Sequence, residues 1–187
     1  GDLIYPDEDL PNAASRILKD LTSIEGIDLH QAQTFGNPAR HPQGRVITSA
    51  YFALVRMHEL TEYANNWSSR IKWTPIYSIP RLSFDHNEIV LSTFELLKQK
   101  LIIEPIAFDL LPEKFTLNNL QDVYEYAFQQ ECDKANFRKK LKNIPLIKLN
   151  EKQENVQHRP ANMFAFDHEN YKLQAKLQKH PFNLKII

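Results

Sequence analysis

The chain has 187 residues, enough for one large domain or two small ones, with 42% hydrophobic and 25% charged residues. That is the mix of a globular protein whose cores need neither disulfides nor a structural metal. Basic and acidic residues balance at zero formal net charge, which argues against a nucleic-acid binder that is basic throughout, and the single cysteine, Cys132, excludes an internal disulfide.

No run approaches the roughly 20 apolar residues of a membrane span. The acidic start (Asp2, Asp7, Glu8, Asp9) is not that of a signal peptide. The expectation is a cytoplasmic protein with no membrane partner. The four glycines all fall within the first 44 residues and do not cluster, so no phosphate-cradling loop is present.

The first predicted element is a helix over 9–22. Asp9 is its N-cap, and Pro11 is tolerated in its first turn. Leu10, Ala13, Ala14, Ile17, Leu18 and Leu21 share one face at helical spacing. Strands are expected over 27–35 and 45–55, the second rich in β-branched and aromatic residues. Between them, residues 36–44 (GNPARHPQG) form a turn-rich loop. A short strand interrupted by Pro75 is expected over 70–77. Trp67 and Trp73 read as core or interface residues. A helix from about Asn87 to Lys100 places Val90, Phe94, Leu97 and Leu101 on one face. Glu104 and Pro105 end it, because proline disfavours helix in the residue before it. The domain boundary is placed there, giving domains 1–104 and 105–187.

The C-terminal segment carries the strongest pattern. Thr116 caps a helix whose buried side is Leu117, Leu120, Val123 with Tyr124, and Phe128. After a polar stretch over 129–132, Asp133 caps a second helix from Lys134 to about Asn143, with Phe137 and Leu141 facing inward and Ile144 beyond. Residues 133–148 hold six basic side chains against one acidic. Strands follow over 146–149 and 163–166, and the loop between them carries Lys152, His158 and Arg159. Helix, turn, basic helix and hairpin follow one another in the order of a winged helix. The second helix fits a major groove, where Asn136 and Arg138 can read base edges. Lys134, Lys139, Lys142 and Arg159 can neutralise phosphates of double-stranded operator DNA. A small helical domain that docks a protein partner, its basic face merely solvated, is the competing reading.

Several stretches resemble the Nudix-related transcriptional regulators: 104–121 (EPIAFDLLPEKFTLNNLQ), 133–141 (DKANFRKKL) and 159–164 (RPANMF). So do 34–40 (TFGNPAR), 44–47 (GRVI), 50–54 (AYFAL) and 84–86 (FDH) upstream. The resemblance implies an α+β chain, in which a Nudix-like α/β/α sandwich lacking its N-terminal strands precedes a winged helix-turn-helix domain. It implies a homodimeric bacterial regulator that senses a small-molecule effector, ADP-ribose in some members and a pentose such as arabinose in others, with no cofactor. In that family the loop and strand bearing Arg40, His41 and Arg45 line the effector pocket. Asp85 reads as a helix N-cap and His86 as a pocket candidate.

The Nudix motif departs from that of catalytic relatives. Aligned on Glu8 and Arg16, its leading glycine is Asp2, the glutamate after the arginine is Ile17, the paired glutamates are Asp20 and Leu21, and its closing glycine is Ser23. Holding Mg²⁺ and activating water on a pyrophosphate needs several carboxylates on one helix face, and Ile17 and Leu21 cannot bind a hard cation. No catalytic or metal-binding residue is therefore assigned. The chain is expected to begin inside this motif, without the strands that precede it. The alternative function is an active Mg²⁺-dependent Nudix hydrolase of ADP-ribose or a related nucleoside diphosphate derivative. A third reading is a protein-interaction module that binds neither DNA nor ligand.

Overall fold

The structure is a computed structural model that describes residues 1–42, 44–56, 72–157, 159–177 and 182–185. It divides into two compact units, residues 1–96 and 97–187. The expected boundary at 104/105 lies eight residues beyond that division (104 against 96), past the end of a helix that runs through it.

In the first unit, α1 spans Leu10–Thr22. The Asp9 carboxylate accepts from the Asn12 N–H, proline sits in the first turn, and Ser23 closes the helix in a left-handed conformation. The expected apolar face is only partly covered. Ala13 is the one residue of α1 that is buried, while Leu10 and Leu21 are exposed. Strands β1 (His30–Phe35) and β2 (Thr48–Phe52) form a two-stranded antiparallel sheet, with an irregularity between Gln31 and Thr34. Both are shorter than the β propensity suggests. The described part of the strand expected over 70–77 instead holds a 3-10 turn, Ile76–Ser78, which follows Pro75. Proline withholds the N–H that a strand ladder needs there. Trp73 is half exposed rather than core, and Trp67 lies outside the described residues. Helix α2, His86–Ile103, stops ahead of Pro105, as the rule for residues preceding proline requires.

The second unit begins in the last turns of α2. A 3-10 segment, Pro105–Leu110, buries Ile106, Ala107 and Phe108. Helix α3 follows (Leu117–Phe128), with Thr116 and Asn119 forming a reciprocal capping box. Then come α4 (Lys134–Lys140), a 3-10 turn at Leu141–Asn143, β3 (Leu146–Lys152), β4 (Asn162–Phe166) and α5 (His168–Leu177). Sequence periodicity left α5 unassigned. Strands β3 and β4 pair as an antiparallel hairpin, Leu146 opposite Phe166 and Lys152 opposite Asn162. Phe115 adds a third rung by exchanging both backbone hydrogen bonds with Phe164, at 2.8 and 2.9 Å.

The buried side of α3 is rotated from the expected one. Leu120, Gln121, Tyr124 and Ala127 are buried, whereas Leu117, Val123 and Phe128 are only partly covered. Pattern counting skips a glutamine on an apolar face, and Gln121 is the residue that moves the stripe. Phe108 centres the core. It stacks on Phe166 at 4.1 Å and meets Phe115 and Phe182 at 5.6 and 6.3 Å. Tyr124 is fully buried, and its hydroxyl donates to the Leu101 carbonyl at 2.7 Å, bonding α3 to the end of α2. Burial pushes the phenol pKa up, so the hydroxyl stays a neutral donor. Tyr124→Phe removes that donor and leaves a buried carbonyl acceptor, a change that typically costs about 1–3 kcal/mol. Denaturant unfolding followed for the second unit is expected to show a lower midpoint with an unchanged slope.

Candidate functional site

The basic helix is presented by what it buries. Phe137, Leu141 and Ile144 are within 6% of full burial and face the core. Lys134, Asn136, Arg138, Lys139 and Lys142 are exposed. The Asp133 carboxylate caps α4 by accepting from the Asn136 N–H at 2.8 Å. Arg138, Lys139 and Lys140 fall in the last turn, where cations complement the negative end of the helix dipole. Lys140 is only partly exposed and donates to the Lys185 carbonyl, which ties the carboxyl-terminal residues 182–185 to α4. Arg159 is exposed on the β3–β4 loop. His158 lies outside the described residues. Lys114 and Glu151 form an exposed ion pair at 2.8 Å, Glu151 standing near the loop end of β3. The cleft lined by Lys142, Asn143, Asn170 and Gln174, about 590 Å³, is polar and open, unlike the enclosed apolar cavities that hold small ligands.

The sequence patterns missed the residues that hold the turn before α4. Gln121 and Glu125, one helical turn apart on α3, both bond the backbone of Cys132. Their i, i+4 spacing was a usable signal, since such pairs face each other on a helix. Burial, and then the neighbouring Glu125, raise the Cys132 thiol pKa, and reactive cysteines need the opposite shift.

In the first unit the 36–44 loop is held by a charged network. Arg40 donates through Nε and Nη2 to the two oxygens of Asp85 at 2.7 and 3.0 Å, and through Nη1 to Thr48 at 2.7 Å. Its side chain is 6% exposed. Asp85 stands just before α2, its carbonyl accepting from the Ile89 N–H, while its carboxylate grips Arg40 and occupies the guanidinium fork. Asn87 organises the start of α2, accepting from the Leu82 N–H and donating to the Pro80 carbonyl. Arg45 is exposed and donates to the Gly36 carbonyl. Phe84 takes a left-handed backbone, φ 53°, and is 58% exposed. Its ring lies between those of His41 at 4.7 Å and His86 at 6.0 Å. Of the four candidate ligand residues, His41 and His86 thus gather around Phe84, and Arg40 grips Asp85, the residue between Phe84 and His86.

The retained Nudix positions form a structural pair. Arg16 Nε donates to Glu8 at 3.0 Å, its Nη2 donates to the other oxygen of Glu8, and its guanidinium lies 3.9 Å from the centre of the Tyr5 ring. The Arg16 hydrogen bonds, followed by the Tyr5 N–H, hold the Glu8 carboxyl below its ordinary range. Asp20 is 3.7 Å from Arg16. Among the described residues, no three His, Cys, Asp or Glu side chains gather as a metal site.

A family model described as the NrtR DNA-binding winged helix domain matches residues 107–166. That span runs from Ala107 through α3, α4 and the hairpin to the end of β4. Residues 107–166 therefore resemble an NrtR-type winged helix over their whole length. The chain is 27% identical, over 167 residues, to the ADPR responsive transcriptional repressor NtrR of Acinetobacter baylyi. That match takes in 88% of this chain and 66% of the relative, so the chain spans just under two thirds of that protein's length. NrtR of Shewanella oneidensis, solved in complex with a 27mer DNA, superposes with a TM-score of 0.71 at 28% identity, covering 87% of this chain and 74% of that one. A MutT/nudix family protein from Enterococcus faecalis superposes at 0.60 with 19% identity, covering 88% and 72%, which shows a shared fold. The α+β class, the Nudix-like fold with a winged helix after it, and the resemblance to Nudix-related regulators are borne out.

The Arg40–Asp85 pair predicts a pH effect. Hydrogen bonds from Arg40 hold the Asp85 pKa below its ordinary value. The stabilisation is therefore complete above the unfolded carboxylate value of about 4 and disappears as pH falls through the lower folded value. Asp85→Asn is expected to destabilise the first unit at neutral pH and to flatten its acid limb. Thermal unfolding of both proteins from pH 7 down to pH 2 checks this.

Proposed function

We propose that this chain is a ligand-responsive DNA-binding regulator of transcription. Residues 1–104 would be the sensing part and residues 105–187 the part that binds operator DNA. The observation that carries this reading is an NrtR-type winged helix whose second helix buries Phe137 and Leu141 and exposes Lys134, Asn136, Arg138, Lys139 and Lys142. Arg138 and Asn136 read base edges in the major groove. Lys134, Lys139, Lys142 and Arg159 neutralise phosphates. A homodimer would present two such helices to half-sites about one DNA turn apart. The regulator works in the cytoplasm, where the DNA is.

The effector is ADP-ribose or a closely related nucleotide, the class printed in the name of the Acinetobacter relative. Arg45, His41 and His86 are the residues we assign to it, since guanidinium and imidazole groups suit its phosphates and hydroxyls. Arg40 keeps the loop in place through Asp85 and Thr48 and is a positioning residue. Hydrolysis is not part of the function. Glu8 is engaged by Arg16, and Ile17 and Leu21 stand where the Nudix motif has carboxylates.

Arg138→Ala is expected to weaken binding to the preferred duplex by about 1–3 kcal/mol and to relax discrimination at one base position. Lys139→Ala is expected to weaken all duplexes alike and to lower the slope of log affinity against log salt by about one. Fluorescence anisotropy across a salt series separates the two. If the chain binds no duplex in a salt-sensitive, sequence-selective manner, the DNA reading fails.

ADP-ribose at one hundred times its dissociation constant is expected to stabilise the folded chain by about 2.7 kcal/mol, by mass action. Thermal shift with ADP-ribose, NAD and arabinose identifies the effector class. Incubation with ADP-ribose and Mg²⁺ is expected to release no AMP. Turnover that disappears in Glu8→Gln would replace the regulator reading with the hydrolase.

A further inference from the structure

The turn joining α3 to α4 leaves α3 through Gln129, whose φ of 51° is left-handed, and reaches α4 at its cap, Asp133. The residue before that cap, Cys132, is held at both of its backbone polar groups. Its N–H donates to Glu125 Oε1 at 2.8 Å, and its carbonyl accepts from Gln121 Nε2 at 3.0 Å. The same Gln121 nitrogen donates to Glu125 Oε1 at 2.7 Å. Three hydrogen bonds thus close a ring between one face of α3 and one peptide unit of the turn.

Gln121 stands at 6% exposure between Leu120 and Tyr124 in the packed face of α3. Burying an amide costs free energy unless it is bonded, and both donations of the Gln121 amide go into this ring at normal length. The Glu125 carboxyl is held below its ordinary range by the Gln121 amide and then by the Cys132 N–H, so it stays ionised as a double acceptor. Helix α4 has seven residues, too few to hold a direction by helix propensity. Its orientation comes from Phe137 on one side and from whatever fixes its first residue.

We propose that Gln121 and Glu125 are positioning residues for DNA recognition: by clamping Cys132 they set the direction in which α4 presents Asn136 and Arg138 to base edges. The proposal rests on the DNA-binding reading. It goes further by assigning sequence discrimination to two residues of α3, outside the helix assigned to the major groove. Misplacing a helix by a small rotation removes directional base contacts and leaves phosphate attraction nearly intact. Loss of the clamp should therefore lower discrimination more than affinity.

The test uses the full chain and two duplexes, one enriched from a randomised pool by the unaltered protein and a shuffled version of it. Glu125→Ala is expected to lower the ratio of the two affinities about tenfold, on the order of one lost base contact, with shuffled-duplex affinity within about twofold. Glu125→Gln keeps the acceptor oxygen and is expected to restore discrimination. Gln121→Met keeps the buried volume while removing both donations. It provides the same test if Glu125→Ala unfolds, and the unfolding midpoint is recorded for each variant. Retained discrimination in folded Glu125→Ala or Gln121→Met overturns the clamp and leaves the DNA reading standing. A parallel fall for both duplexes in a folded variant also overturns it. If the unaltered chain enriches no duplex, the DNA reading fails and the clamp's role in recognition fails with it.

Discussion

The winged-helix unit depends on the packing of one ring. Phe108 lies in the 3-10 segment after α2 and stacks on Phe166 at 4.1 Å with 17° between planes. Phe115 and Phe182 meet it from other elements. Phe166 ends β4, so the stack fixes the returning strand of the hairpin. Phe115 exchanges backbone bonds with Phe164 on the same strand, so the chain entering α3 is fixed to that strand too. Aromatic pairs contribute roughly 0.5–1.5 kcal/mol beyond their area burial. The larger consequence is geometric, because helix entry and hairpin share one anchor, and α4 lies between them in the chain.

Much of this was legible in the sequence because it follows from short-range rules. Asp9, Thr116 and Asp133 cap the helices they precede, since each offers a side-chain oxygen to an otherwise unpaired N–H. Phe137, Leu141 and Ile144 are buried as their spacing indicated. The failures have a physical pattern of their own. Gln121 is polar yet buried, because its partners lie on the next turn of α3 and at Cys132, and no period-based template anticipates a partner eleven residues away. Phe115 joins the sheet by a single bridge, too short to register as a strand. Asp85 and Arg40 are 45 residues apart, and their pairing is a tertiary fact that local preference for a cap cannot express.

The two arginine–carboxylate pairs of the first unit show why residue type alone does not fix chemistry. Arg40 and Arg16 each meet a carboxylate with two nitrogens, the geometry in which guanidinium binds most directionally. Either arginine alone could be taken for a ligand-binding group. In both cases the fork is closed by a protein carboxylate. Phe84 reinforces that view. A bulky non-glycine residue at φ 53° is uncommon and costs on the order of 1–2 kcal/mol. It persists because Asp85 and Asn87 are fixed by Arg40, Leu82 and Pro80 on either side.

Glu8 makes the same point at the Nudix-like motif. A metal-binding carboxylate must face a cation with its lone pairs open and with further carboxylates beside it. Glu8 instead accepts from Arg16 Nε, Arg16 Nη2 and the Tyr5 N–H. A divalent ion brought there would have to displace a guanidinium whose charge repels it. Among the described residues of the motif it would find Asp20 in addition, since the neighbouring positions are Ile17 and Leu21. The Arg16–Glu8 pair therefore stabilises the approach to α1 as a fixed element of the fold.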